Sequence, residues 1–123
     1  MPPKSRLLTQ SYGDITLAFI TEIRILDEAT VQEFATELLN LVNNTYRIKL
    51  CINFQNVEYL SSAVLGKLVA VHKLCVEAKG ELRLCCIKPA IKAVFSMTKL
   101  DKLFQIHDDM ATAVNAFKRG KFV

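Results

Sequence analysis

Glycine is scarce, 4 residues in 123, and the glycines do not cluster into a loop able to cradle phosphate groups. The four cysteines, Cys51, Cys75, Cys85 and Cys86, include no Cys-x-x-Cys pair, and neither His72 nor His107 stands near one at a ligand spacing. No metal site is expected. Cys85 and Cys86 lie inside an apolar run, residues 82–87, where reduced thiols pack as small hydrophobes, so all four are expected to be structural and free. No base stands beside a nucleophile and no carboxylates pair in a catalytic pattern, which argues against an enzyme and against a cofactor. Long apolar runs are also missing. The best candidate, residues 64–76, is broken by Gly66, Lys67, His72 and Lys73, and residues 1–10 lack the apolar centre of a signal peptide. The expectation is a cytoplasmic protein without direct membrane insertion.

What is present suits one compact domain spanning residues 1–123. Apolar residues make up 51% and charged residues 23%, with a mean hydropathy of +0.24, which excludes disorder. A chain of this size buries roughly two thirds of its unfolded surface, enough for a core without disulfide or metal. Charge is uneven: residues 1–60 carry five basic and seven acidic side chains, and residues 61–123 carry eleven basic and five acidic ones. The imbalance leaves two readings, a partner with an acidic complement or weak attraction to nucleic acid. No basic run exceeds two residues, so a nucleic-acid partner is not expected, and Lys118, Arg119 and Lys121 read as a solvated tail.

Periodicity supplies the elements. Residues 7–12 and 15–20 read as strands around Gly13-Asp14, a dipeptide suited to a hairpin turn. Val31, Phe34, Ala35, Leu38, Leu41 and Val42 recur on one helical face, with Thr30 and Glu33 as a capping box or Asp27 as an earlier cap, and Asn43-Asn44 ending the pattern. Ile48, Leu50, Ile52 and Phe54 alternate as a strand ending near Asn53. A loop follows to Leu60, then a helix from Ser61 or Ser62, either hydroxyl being able to cap it, with Gly80 as its closing glycine. Residues 82–87 form a buried strand, Pro89 opens a short helix, residues 103–106 form a last strand, and Asp108-Asp109 begins a helix through Phe117. His72 falls mid-helix and His107 beside Asp108, both read as structural or exposed. The alternation predicts an α/β sandwich, a mixed, mostly parallel sheet of four to five strands with about four helices. In such sheets the working surface gathers at strand C-termini and following helix N-termini, here residues 53–66.

Two segments in that frame carry a resemblance. Residues 53–66, from Asn53 through Asn56, Tyr59, Ser61, Ser62 and Ala63 to Gly66, and residues 86–100, with Pro89 opening a helix, are similar to STAS domains, the family of bacterial anti-sigma factor antagonists. Ile25-Leu26-Asp27 resembles the family's early loop, whose aspartate precedes the first helix. The resemblance covers residues 10–117 or so and implies a STAS-like fold. Members switched by phosphorylation carry aspartate, serine, an acceptor serine or threonine, then glycine at the helix start; without a gap these fall on Ser61, Ser62, Ala63 and Val64. Alanine cannot accept phosphate, which leaves Ser62 as a neighbouring candidate acceptor or simply a first-turn hydroxyl. The resemblance thus implies a non-enzymatic interaction module that binds an anti-sigma factor or a serine-kinase-like ATPase through Asp27, Asn53, Asn56, Tyr59, Ser61, Ser62, Ala63 and Gly66. The alternative it implies is a constitutive subunit of a transporter or stressosome-like assembly; self-association is compatible with either.

Overall fold

The computed structural model describes residues 5–119. Strands β1 (Leu7–Tyr12) and β2 (Ile15–Ile20) form the antiparallel hairpin, with Gly13 at φ 62°, the left-handed turn conformation that glycine adopts without strain. Then come β3 (Arg24–Ile25), α1 (Glu28–Asn44), β4 (Lys49–Asn53), β5 (Tyr59–Leu60), α2 (Ser62–Glu77), β6 (Glu81–Cys85), α3 (Pro89–Met97), a 3-10 turn (Leu100–Lys102), β7 (Gln105–His107) and α4 (Met110–Arg119). The main sheet has the order β1-β2-β4-β6-β7, parallel except for β1, and β3 pairs with β5 in a separate parallel ribbon.

Strand alternation divides the core in two. Ala18, Ile20, Leu50, Ile52, Leu82 and Leu84 pack beneath α1, α2 and α3, whose Phe34, Leu38, Leu68, Val71 and Phe95 are fully buried. Ile15, Leu17, Cys51 and Cys85 face the other way, against Ala113, Val114 and Phe117 of α4. The central strand β4 is therefore apolar on both faces, as expected of a parallel strand covered by helices on each side. Among the described residues no helix is long and apolar enough to cross a membrane.

Several expected boundaries shift for physical reasons. The closing glycine of α2 is not Gly80: Lys79 takes the left-handed φ of 61°, and the amides of Lys79 and Gly80 return to the carbonyls of Val76 and Cys75 at 3.0 and 2.8 Å. Glycine is needed one position later because a β-carbon at Gly80 would stand 2.5 Å from the Ile48 carbonyl oxygen. The strand expected at residues 82–87 stops at Cys85, since Cys86 adopts φ 60°. The one expected at residues 103–106 starts only at Gln105: the amides of Leu103 and Phe104 both bond the Leu100 carbonyl at 3.0 Å, closing a turn instead. Lys118 and Arg119 belong to α4 rather than to a tail, while Lys121 lies outside the described residues.

The four thiols are free. Cys51 and Cys85, on adjacent strands, share a hydrogen bond with sulfurs 3.6 Å apart, and burial pushes Cys75 and Cys86 up to about 11, holding both as neutral thiols at neutral pH. His72 packs edge-on to Phe104 with centroids 5.5 Å apart, and His107 sits 3.1 Å from Arg83, with burial and then the guanidinium lowering its pKa.

Two outcomes follow from this packing. Replacing Gly80 by Ala should lower stability by about 1–3 kcal/mol in urea unfolding, the range for overpacking against backbone that cannot yield; an unchanged midpoint would contradict the close approach. Thiol titration of the denatured, unreduced protein should find all four cysteines free, and recovery of half that number would contradict it.

Candidate functional site

The loop after β4 is built from alternating anchors and exposed groups. Phe54 and Val57 are fully buried; the Phe54 amide bonds the Cys85 carbonyl at 3.0 Å, its ring meets Phe95 edge-on at 6.4 Å, and the Val57 amide closes a turn onto the Phe54 carbonyl at 2.9 Å. Between them Gln55 and Asn56 are exposed, although the Asn56 side-chain amide donates to the Ile20 carbonyl at 3.2 Å and pins the loop to the end of β2. The loop then runs alongside the segment before α1. Glu58 and Tyr59 both donate their amides to the Ile23 carbonyl, at 2.9 and 3.1 Å, and Ser61 donates to that of Ile25 at 3.0 Å.

This pairing feeds two helices from neighbouring parallel strands, so α1 and α2 begin at the same end of the molecule. Their starts are finished differently. Asp27 caps α1 through both carboxylate oxygens, accepting the Thr30 amide at 3.0 Å and the Thr30 hydroxyl at 2.6 Å. The hydroxyl bond first, and the amide bond after it, hold its carboxyl below the ordinary carboxylate value. Asp27, not the Thr30-Glu33 box, is thus the cap. At α2 the backbone of Ser61 occupies the capping position, but its hydroxyl makes no cap bond and lies buried without a partner. The expected hydroxyl cap is absent, because the chain enters α2 with the Ser61 amide already committed to Ile25 and the side chain turned inward. No acidic residue compensates the first turn of α2.

Most of the expected surface residues share this end, with one correction. Asp27, Asn56, Tyr59, Ser62, Ala63 and Gly66 are exposed, and Ser61 is partly so. Asn53, expected at the surface, is 2% exposed: its side-chain Oδ1 accepts the Gln55 amide at 2.8 Å, and its Nδ2 lies 3.7 Å from the Met110 sulfur, beneath α4. It shapes the loop from inside. Val64, immediately after Ala63, is fully buried, which fixes Ser62 and Ala63 on the outer side of the first turn. A β-carbon at Gly66 would meet nothing within 4 Å, so no packing demands glycine there.

Beside Tyr59, which the sequence placed on the binding surface, stand two apolar groups that it did not reveal. Ile23, Leu26 and Tyr59 are 52%, 51% and 50% exposed around the β3–β5 ribbon, and the Arg24 guanidinium lies over the Tyr59 ring at 5.3 Å. In the sequence Ile23 carries no signal, and Leu26 stands out only as part of the loop that resembles the family's. Within the ribbon Ile25 is fully buried and Leu60 packs partly against the core, while Ile23 and Leu26 flank β3 on either side. Opposite Tyr59, Glu58 approaches Lys88, the residue before α3, at 3.8 Å.

Comparison with known proteins agrees with this architecture. The profile of the STAS domain family matches residues 9–113, and the chain belongs to that family. It is 28% identical over 94 residues to BtrV of Bordetella bronchiseptica, an anti-sigma factor antagonist by name, covering 76% of this chain and 80% of that one. Among solved structures, a STAS domain protein from Planctomyces limnophilus superposes with a TM-score of 0.81 at 20% identity, covering 93% of this chain and 98% of the other. An anti-sigma factor antagonist from Mycobacterium paratuberculosis does so with a TM-score of 0.78 at 22% identity, covering 89% and 91%. The structural likeness establishes the fold.

The Asp27 cap carries a pH signature. Its carboxyl is lowered in the folded state, so the stabilisation from the charged cap is complete above the ordinary value of 3.8 and is lost as pH falls through the lower folded value. Asp27→Ala should melt at a lower temperature than wild type near neutral pH, with the gap narrowing as the solution is acidified below that ordinary value. A gap independent of pH would show that the charge contributes nothing.

Proposed function

We propose that this chain is a non-enzymatic, cytoplasmic interaction module that works as an anti-sigma factor antagonist does, docking an anti-sigma factor or a serine-kinase-like ATPase onto the end formed by the β3–β5 ribbon, the loop of residues 53–61 and the first turn of α2. The observation that carries the reading is the clustering of Ile23, Leu26 and Tyr59, each half-exposed, beside Ser62 and Ala63. Large apolar side chains gathered at one rim with uncommitted helix amides suit a protein surface better than a small ligand. The exposed first turn of α2 is where a phosphate would meet the partner, and the position that aligns with the family's acceptor is Ala63. The module therefore binds in one state, set by partner availability rather than by its own modification. Ser62 is exposed in the same turn, and its role here is contact.

The test begins with affinity capture from native cytosol and moves to the purified partner. Ala63→Glu should leave the fold intact, the charge gaining about 0.3–1 kcal/mol from the helix end. The same carboxylate desolvated inside a contact should weaken binding by on the order of several kcal/mol. Tyr46→Ala, at an 87% exposed position before β4 and thus at the opposite end of the sheet, should bind like wild type. Incubation with the captured kinase and ATP should give no stoichiometric mass gain of about 80 Da, one phosphoryl group. Undiminished binding by Ala63→Glu with loss in Tyr46→Ala would move the interface to the other end. A full mass gain abolished by Ser62→Ala would make Ser62 a working acceptor.

A further inference from the structure

The outer edge of β1 is open beyond Leu7, whose amide and carbonyl are met by the Ser5 hydroxyl at 3.3 and 2.7 Å. Among the described residues no strand pairs with its outer side, and its sequence, Leu-Leu-Thr-Gln-Ser-Tyr, contains no proline and no charged side chain, the devices that usually keep sheet edges apart. Every residue after Leu7 is exposed. The other edge, β7, is only three residues long. The helix that covers this face, α4, packs mainly on β4, β6 and β7. It leaves Leu8 60% and Tyr12 52% exposed, next to the half-buried Phe19 and a groove of about 230 Å³ between Tyr12, Leu17, Met110 and Val114.

We propose that β1 pairs antiparallel with the β1 of a second copy of this chain, about a twofold axis centred on Gln10, joining two sheets into one. The register argues for a second copy rather than a foreign strand. A twofold axis perpendicular to the sheet keeps each face on its own side, so residues of equal parity must oppose one another. Centred on Gln10, the pairing sets Leu8 opposite the partner's Tyr12, Thr9 opposite the partner's Ser11, and Gln10 opposite the partner's Gln10. Apolar meets apolar on the α4 face, hydroxyl meets hydroxyl on the other, and no like charges meet. Shifting the centre to Thr9 puts Leu8 opposite the partner's Gln10, and shifting it to Ser11 puts Tyr12 opposite the partner's Gln10 and shortens the overlap.

The hydrogen bonds fit the same register. The Thr21 amide donates to the Arg6 carbonyl at 3.0 Å, so in the β1–β2 ladder the even-numbered residues of β1 point their backbone groups at β2. Leu7, Thr9 and Ser11 point theirs outward. With Gln10 at the centre, Thr9 and the partner's Ser11 become a hydrogen-bonded pair, and so do their symmetry mates. The interface lies away from the end proposed to bind the anti-sigma factor or kinase, and the inference does not rest on that reading.

Light scattering coupled to size exclusion tests it. Wild type should move from 13.9 kDa toward twice that mass as concentration rises. Gln10→Lys and Gln10→Glu, at an exposed position, should each remain monomeric because like charges then face each other on the axis, and an equimolar mixture of the two should recover the dimer. Thr9→Pro removes an outward amide but none of the ladder to β2, and should also be monomeric with an unchanged circular dichroism spectrum. The proposal is overturned if wild type stays at the chain mass at the highest reachable concentration, if both charge variants dimerise as wild type does, or if the mixture fails to associate.

Discussion

The carbonyl oxygens of Ile23 and Ile25 accept the amides of Glu58, Tyr59 and Ser61, and through these bonds the loop after β4 is tied to the segment that leads into α1. Without that tie the starts of the two helices would be positioned only by their packing on each other and on the main sheet below them. With it, the start of α2 is set beside the start of α1, the ribbon turns Ile25 and part of Leu60 into the core, and Tyr59 is left facing outward.

The rest of the molecule holds the ribbon in place. Asn56 fastens the loop to β2 and Phe54 fastens it to β6 and α3, while β4, buried on both faces, supplies a rigid base. The helix ends divide the electrostatic work. At α1 the Asp27 carboxylate accepts the Thr30 amide; at α2 no side chain caps the turn, and the equivalent Val64 amide folds back onto the Ser61 carbonyl at 3.0 Å. The same rim thus holds one helix start capped by a side chain and one that is not.

Much of this was legible in the sequence. The alternation of Ile48, Leu50 and Ile52, the spacing of Val31, Phe34, Ala35 and Leu38, and proline at the start of α3 mark elements whose period survives in the folded chain. What stayed hidden has a common cause. The strands β3 and β5 are two residues each, too short to show alternation, so Tyr59 and Leu60 read as loop and the exposure of Ile23 and Leu26 had no signal. Ser61 looked like a cap because serine before a helix usually is one; its amide bond to Ile25, a tertiary contact, turned the hydroxyl inward. Asn53 looked like a surface polar group because nothing local reveals that α4 lies over it. Gly80 suggested a left-handed helix end, whereas a distant carbonyl of β4's approach, that of Ile48, is what excludes a side chain there.

Amide hydrogen exchange followed residue by residue in the free protein tests the central tie most directly. Tyr59 and Ser61, which donate to Ile23 and Ile25, should exchange far more slowly than Ser62 and Ala63, the uncapped first-turn residues of α2 that neighbour them in sequence. Exchange at Tyr59 and Ser61 as fast as at Ser62 and Ala63 would mean that the ribbon does not hold in solution, and the shared rim of the two helices would go with it.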